Sequence, residues 1–98
     1  MKIEYKNKHI EKICTDASEA IRKYGIILTQ KLRQRLNEIC AAENVELMIR
    51  FKIGHCHKLT GDRKEQYSVY LTHPYRLVFT VKDDIVQIAT INEIIDYH

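Results

Sequence analysis

The chain has little of what breaks or ties a fold. One proline and three glycines stand in 98 residues, too few for a collagen-like or Pro/Gly-rich disordered chain. No apolar run approaches the ~20 residues that a membrane helix requires. The opening Met1-Lys2-Ile3-Glu4-Tyr5 puts charges where a secretion signal needs an apolar stretch, so a cytoplasmic, membrane-free protein is expected. Three cysteines are an odd number, which argues against a disulfide framework. Cys14 and Cys40 fall at apolar positions of helical patterns and Cys56 in a strand pattern, so all three are expected as small buried side chains. There is no Gly-rich phosphate loop, no nucleophile elbow and no dinucleotide fingerprint. His55-Cys56-His57 places two imidazoles at i and i+2 without a second cluster, a poor zinc site. Neither metal nor cofactor is expected.

What is present supports one folded unit, residues 1–98. The hydrophobic fraction is 45%, enough for a single core at this length. The net charge of +3 is unevenly spread. From His55 to Lys82 there are five Lys/Arg against two Asp/Glu, with three of the five histidines; from Asp83 to His98 there are four acids and no Lys/Arg. The middle is therefore basic and gains charge as imidazoles protonate, which suits a partner bearing phosphates or a solvated face alike.

Lys2 to Tyr5 reads as a short strand. Ile10, Ile13, Cys14, Ala17, Ile21 and Tyr24 then keep one face of a helix apolar, and Gly25 ends it. A second helix is expected from Thr29 as its cap, with Leu28, Leu32, Leu36, Ile39 and Cys40 as its stripe and Lys31, Arg33 and Arg35 largely outside. The short link makes an antiparallel helical hairpin. Asn44 to Gly54 is a connector with room for one helical turn. The period then changes to two: strands over 55–59, 66–71 and 75–82, with Pro74 between strands and Asp83-Asp84 as a turn. A last apolar strand over 85–95 takes a central place. Helices followed by strands predict an α+β fold, an N-terminal helical hairpin on one face of a small, twisted antiparallel sheet.

The stretch His57-Lys58-Leu59-Thr60-Gly61-Asp62-Arg63 gathers imidazole, amine, hydroxyl and guanidinium around a Gly-Asp turn. Alternation sets His55 and His57 on one face with Cys56 inward. It also sets Arg76 opposite Tyr75, Leu77 and Phe79. His57, Lys58, Arg63 and Arg76 are thus expected to converge on one concave sheet surface. Guanidinium grips phosphate oxygens in a fork. Cleaving RNA through its own 2′-hydroxyl further needs proton-transfer groups; Asp96, Tyr97 and His98 offer carboxylate, phenol and imidazole.

Taken together, the helical hairpin, His57 to Arg63, Tyr67-Ser68-Val69, Pro74-Tyr75-Arg76-Leu77-Val78-Phe79 and the final Asp96-Tyr97-His98 resemble the RelE/ParE toxin superfamily, and within it the HigB-like plasmid-maintenance killer proteins. The resemblance implies a RelE-like fold and a toxin silenced by an antitoxin encoded beside it, expected as a small helix-turn-helix protein. It further implies cleavage of messenger RNA on the ribosome, leaving a 2′,3′-cyclic phosphate. His57, Arg63, Arg76, Asp96, Tyr97 and His98 would form the catalytic set, and His55, Lys58, Lys64 and Lys82 would bind RNA. Relatives of the ParE kind poison DNA gyrase instead. Thr60 stands where several relatives have lysine, which leaves open a toxin that only binds its antitoxin. Tyr67 stands where several have tryptophan.

Overall fold

The computed structural model describes residues 1–63 and 65–96. A first strand, β1 (Lys2–Tyr5), leads to α1 (Lys8–Thr15), α2 (Ala17–Tyr24), α3 (Ile26–Ala41) and the short α4 (Val45–Arg50). After a 3₁₀ turn at Ile53–His55 come β2 (His57–Lys58), β3 (Gln66–Tyr70), β4 (Tyr75–Lys82) and β5 (Ile88–Asp96).

The first expected helix is two. Asp16 adopts an extended backbone, and its carboxylate accepts from the N–H groups of Ser18 (3.0 Å) and Glu19 (3.4 Å). An aspartate that caps a new helix competes with the hydrogen bonds that would continue the old one. Asn7 and Asn44 cap α1 and α4 in the same way. The second long helix starts at Ile26, directly after Gly25 at φ 85°. Thr29 does not cap it; its Oγ1 donates to the Gly25 carbonyl at 2.8 Å from inside the first turn. The stripe Leu28, Leu32, Leu36 and Ile39 is buried as expected, and α2 packs against both α1 and α3. The N-terminal ammonium of Met1 donates to the carbonyls of Ile39, Cys40 and Ala42, where it meets the negative end of the α3 dipole.

The five strands lie in the order β1-β5-β4-β3-β2. The sheet is antiparallel except at one edge, where β1 runs parallel to β5. The chain from β1 to β5 runs through the helices and the other three strands, the long connection that a parallel pair requires. The helix-facing side of the sheet carries Val69, Leu77, Phe79, Ala89 and Ile91, which join Leu32, Ile39, Val45 and Met48 in the core. The last strand begins at Ile88, not Ile85. Ile85 and Val86 are exposed at the β4–β5 turn, so an apolar run does not by itself fix a strand's start. Among the described residues no helix is long and apolar enough to cross a membrane.

Cys14 and Cys56 are buried, as expected, but Cys40 is exposed at the edge of the α3 stripe. Burial pushes the Cys14 and Cys56 thiols from an ordinary value near 9 up to about 12. Because the thiolate is the reactive form, one thiol per native molecule should react rapidly with a disulfide reagent at pH 8, and all three after denaturation. Cys40→Ser should abolish the fast phase. The unfolded chain releases these protons first, so stability should be unaffected by them below about pH 9 and fall as pH rises towards 12. A urea titration at several pH values on the Cys40→Ser protein reads this out.

Candidate functional site

The face of the sheet turned away from the helices carries the candidate residues His57, Arg63 and Arg76. Register brings His57, Ser68, Val78 and Glu93 into one row across β2, β3, β4 and β5. Tyr70, Arg76 and Ile95 form the next row. Successive rows on one face are roughly 7 Å apart. His57 and Arg76 therefore share this surface.

Arg63 arrives from the loop between β2 and β3. Its Nη1 donates to Gln66 Oε1 and to Glu93 Oε2, each at 3.2 Å. The guanidinium thus spans from β3 to β5 over the open face. Both members of the Arg63–Glu93 pair remain more than two-fifths exposed, and such a pair is worth only ~0.2–1 kcal/mol. Beside it Ser68 and Val78 are fully buried although they belong to this face. Among the described residues Ser68 Oγ has no hydrogen-bond partner; a buried hydroxyl left without one costs about 1–3 kcal/mol.

Arg76 is held by a stack that the sequence reading did not single out. Its guanidinium carbon lies 4.4 Å from the centre of the Tyr70 ring, a cation–π contact worth ~0.5–1 kcal/mol at an exposed site. His55 stacks on Tyr70 with centroids 4.6 Å apart, and the His57 ring meets His55 edge-on at 5.7 Å. Aromatic rings so link His57 to Arg76. The signal was available: Tyr70 and Arg76 are equally far from the centre of a hairpin turn at His73, which a symmetric hairpin pairs directly.

His55 is not in a strand. It closes the 3₁₀ turn at φ 55°, with Lys52 and Gly54 also left-handed, and this kink delivers its ring beside His57. His57 Nδ1 lies 3.0 Å from the His55 carbonyl oxygen. A carbonyl only accepts, so Nδ1 carries the proton and Nε2 is the nitrogen left for proton transfer. Arg35, grouped from sequence with the basic side of the second helix, is tied down. Its Nε donates to the Tyr70 carbonyl at 2.6 Å and its Nη1 to Glu38 at 2.8 Å. A Cβ at residue 54 would sit 2.9 Å from Arg35 Nε, so Gly54 admits this approach.

The expected convergence of Lys58 with His57 does not occur. Adjacent strand residues point to opposite faces; Lys58 pairs with Tyr67, whose ring packs against the core. Lys58 and Lys82 line a separate hollow of about 560 Å³ with Tyr67, Glu46, Asp83 and Gln87. Burial, helped by the charges of Glu46 and Asp83, pushes the Tyr67 phenol above its ordinary value. Asp96 ends β5 opposite Tyr75, one residue beyond the Arg76–Ile95 pair and on the Tyr75 side by alternation. Lys64, Tyr97 and His98 lie outside the described residues. Among the described residues no group of three or more His, Cys, Asp or Glu side chains is placed to hold a metal.

No protein-family model matches this sequence, and no curated protein matches it. Solved structures do. A YoeB/ParE toxin from Agrobacterium tumefaciens superposes with a TM-score of 0.68 at 15% identity, over 100% of this chain and 99% of that one. YoeB in its complex with YefM from Staphylococcus aureus matches with a TM-score of 0.65 at 22% identity, over 100% and 97%. The YoeB dimer from the same organism gives the same values. These neighbours are toxins of the RelE/ParE superfamily, and the chain has their fold, helices packed on an open five-stranded sheet. They do not single out the HigB-like branch.

Proposed function

We propose that this protein is the toxin of a type II toxin–antitoxin pair and cuts messenger RNA on the ribosome by 2′-hydroxyl attack. The observation that carries the reading is the meeting of Arg63, Arg76 and His57 on one face of the sheet. His57 and Arg63 come from one seven-residue stretch and Arg76 from a later strand, and a phosphodiester needs such a set. The 2′-oxygen attacks phosphorus and gives up its proton to a base. The bond to the 5′-oxygen breaks, and that oxygen takes a proton from an acid, leaving a 2′,3′-cyclic phosphate and a 5′-hydroxyl. Arg63 and Arg76 hold the phosphate and the charge of its phosphorane. His57 and His98 are acid/base candidates in either order, Asp96 would orient an imidazole or act as base, and Tyr97 would stack a base or hydrogen-bond the backbone.

Lys64 and His55 are proposed as further contacts to RNA phosphates. Lys58 and Lys82 are proposed to touch RNA beyond the scissile phosphate, around the sheet edge. The stable partner is a small helix-turn-helix antitoxin; the Staphylococcus aureus neighbour is a YoeB–YefM complex. Primer extension on cellular mRNA after induction tests the reading. New 5′ ends within translated messages, with supercoiling unchanged, are expected. Unchanged 5′ ends with lost supercoiling would transfer the activity to gyrase. Unchanged growth would leave only antitoxin binding, the outcome that Thr60 keeps in view.

A further inference from the structure

The Arg63–Glu93 pair is unusual for a phosphate site, because it places a carboxylate where an anionic substrate must arrive. Glu93 stands on β5 in the same row as His57, and nothing in the proposed chemistry uses it. Its Oε2 accepts a hydrogen bond from Arg63 Nη1 at 3.2 Å, the contact a phosphate oxygen would make. The buried Ser68 hydroxyl, without a hydrogen-bond partner among the described residues, lies in that row.

We infer that Glu93 is an internal stand-in for the RNA phosphate, which must be displaced from Arg63 before a phosphodiester can bind. The inference rests on the proposed RNA-cleaving function and deepens it. The pair is exposed enough to exchange, since both side chains reach solvent. The competition is local: a phosphodiester, like a carboxylate, spreads one negative charge over two oxygens and offers the guanidinium the same fork. Glu93 then sets a threshold. A single weak anion does not open the site, whereas a polyanion held also by Arg76 does.

The test uses the full chain and a fluorescent 2′-O-methyl oligoribonucleotide, which binds without being cut, read by anisotropy at low salt. Glu93→Gln keeps the shape and removes the charge, and it should bind about two- to fivefold tighter than the parent. Glu43→Gln, an exposed carboxylate on the α3–α4 connection, should change affinity less, since it reports only the loss of one surface charge. In an Arg63→Ala background, Glu93→Gln should give no gain. A gain that persists without Arg63, or one no larger than that of Glu43→Gln, overturns the inference while RNA binding stands. Absence of binding by parent and variants alike overturns both this inference and the function beneath it.

Discussion

Arg76→Ala should abolish growth arrest on induction and lower RNA cleavage by about 10²–10³-fold, the usual effect of removing one positioned donor from developing negative charge. The side chain lies on the solvent face of β4, over Tyr70, and adds little to the core. Loss of the cation–π contact, ~0.5–1 kcal/mol, accounts for a fall in melting temperature of up to about 8 °C. Activity and stability should therefore separate. Arg76→Lys keeps the charge but not the fork and should fall between parent and alanine. Tyr70→Phe keeps the ring beneath the guanidinium and should stay close to parent; Tyr70→Ala removes it and should lose much of what Arg76→Ala loses. Full cleavage by a folded Arg76→Ala protein would end the nuclease reading, because the two guanidinium groups are its foundation.

How much of this was legible beforehand depends on the range of the interaction that decides each feature. Alternation along Tyr75 to Lys82 is local, and it correctly set Arg76 opposite Leu77 and Phe79. The same rule, applied to neighbours, separates Lys58 from His57; the expectation that they converge ignored it. Asp16 could equally continue a helix or cap one, and the apolar spacing on either side is the same in both cases. Ile85 and Val86 look like strand in one dimension, and only the end of the β1–β5 register shows that no partner strand reaches them. The Arg63–Glu93 pair joins residues 30 apart and depends on how β5 inserts between β1 and β4. A sequence contains no short-range sign of that. The sheet's mixed character has the same origin: β1 and β5 become neighbours only after the whole helical layer has crossed over.

Phe79→Ala should cost about 3–5 kcal/mol of folding stability, a large part of the ~5–15 kcal/mol that a domain of this size possesses. Phe79 is fully buried in the middle of β4, opposite Tyr67 on one side and Ile91 on the other. Its ring stacks on Tyr67 with centroids 5.9 Å apart. The strand slips register between Val78 and Phe79, where β5 carries one extra residue, Asn92. Asn92 donates to Thr80 Oγ1 at 2.7 Å across the same two strands. The bulge lets Ile91 face the core opposite Phe79 while Glu93, two residues on, stays paired with Val78 on the open face, so the anchor beneath the sheet and the row above it share one irregularity. A cavity there should loosen the row that holds Glu93 and, through it, Arg63. Urea unfolding followed by circular dichroism measures the cost, and a loss under about 1 kcal/mol would contradict the central place given to this ring. Cleavage by the fraction still folded should fall as well. Arg76→Ala stops the reaction in a sound molecule, whereas Phe79→Ala disturbs the site from below.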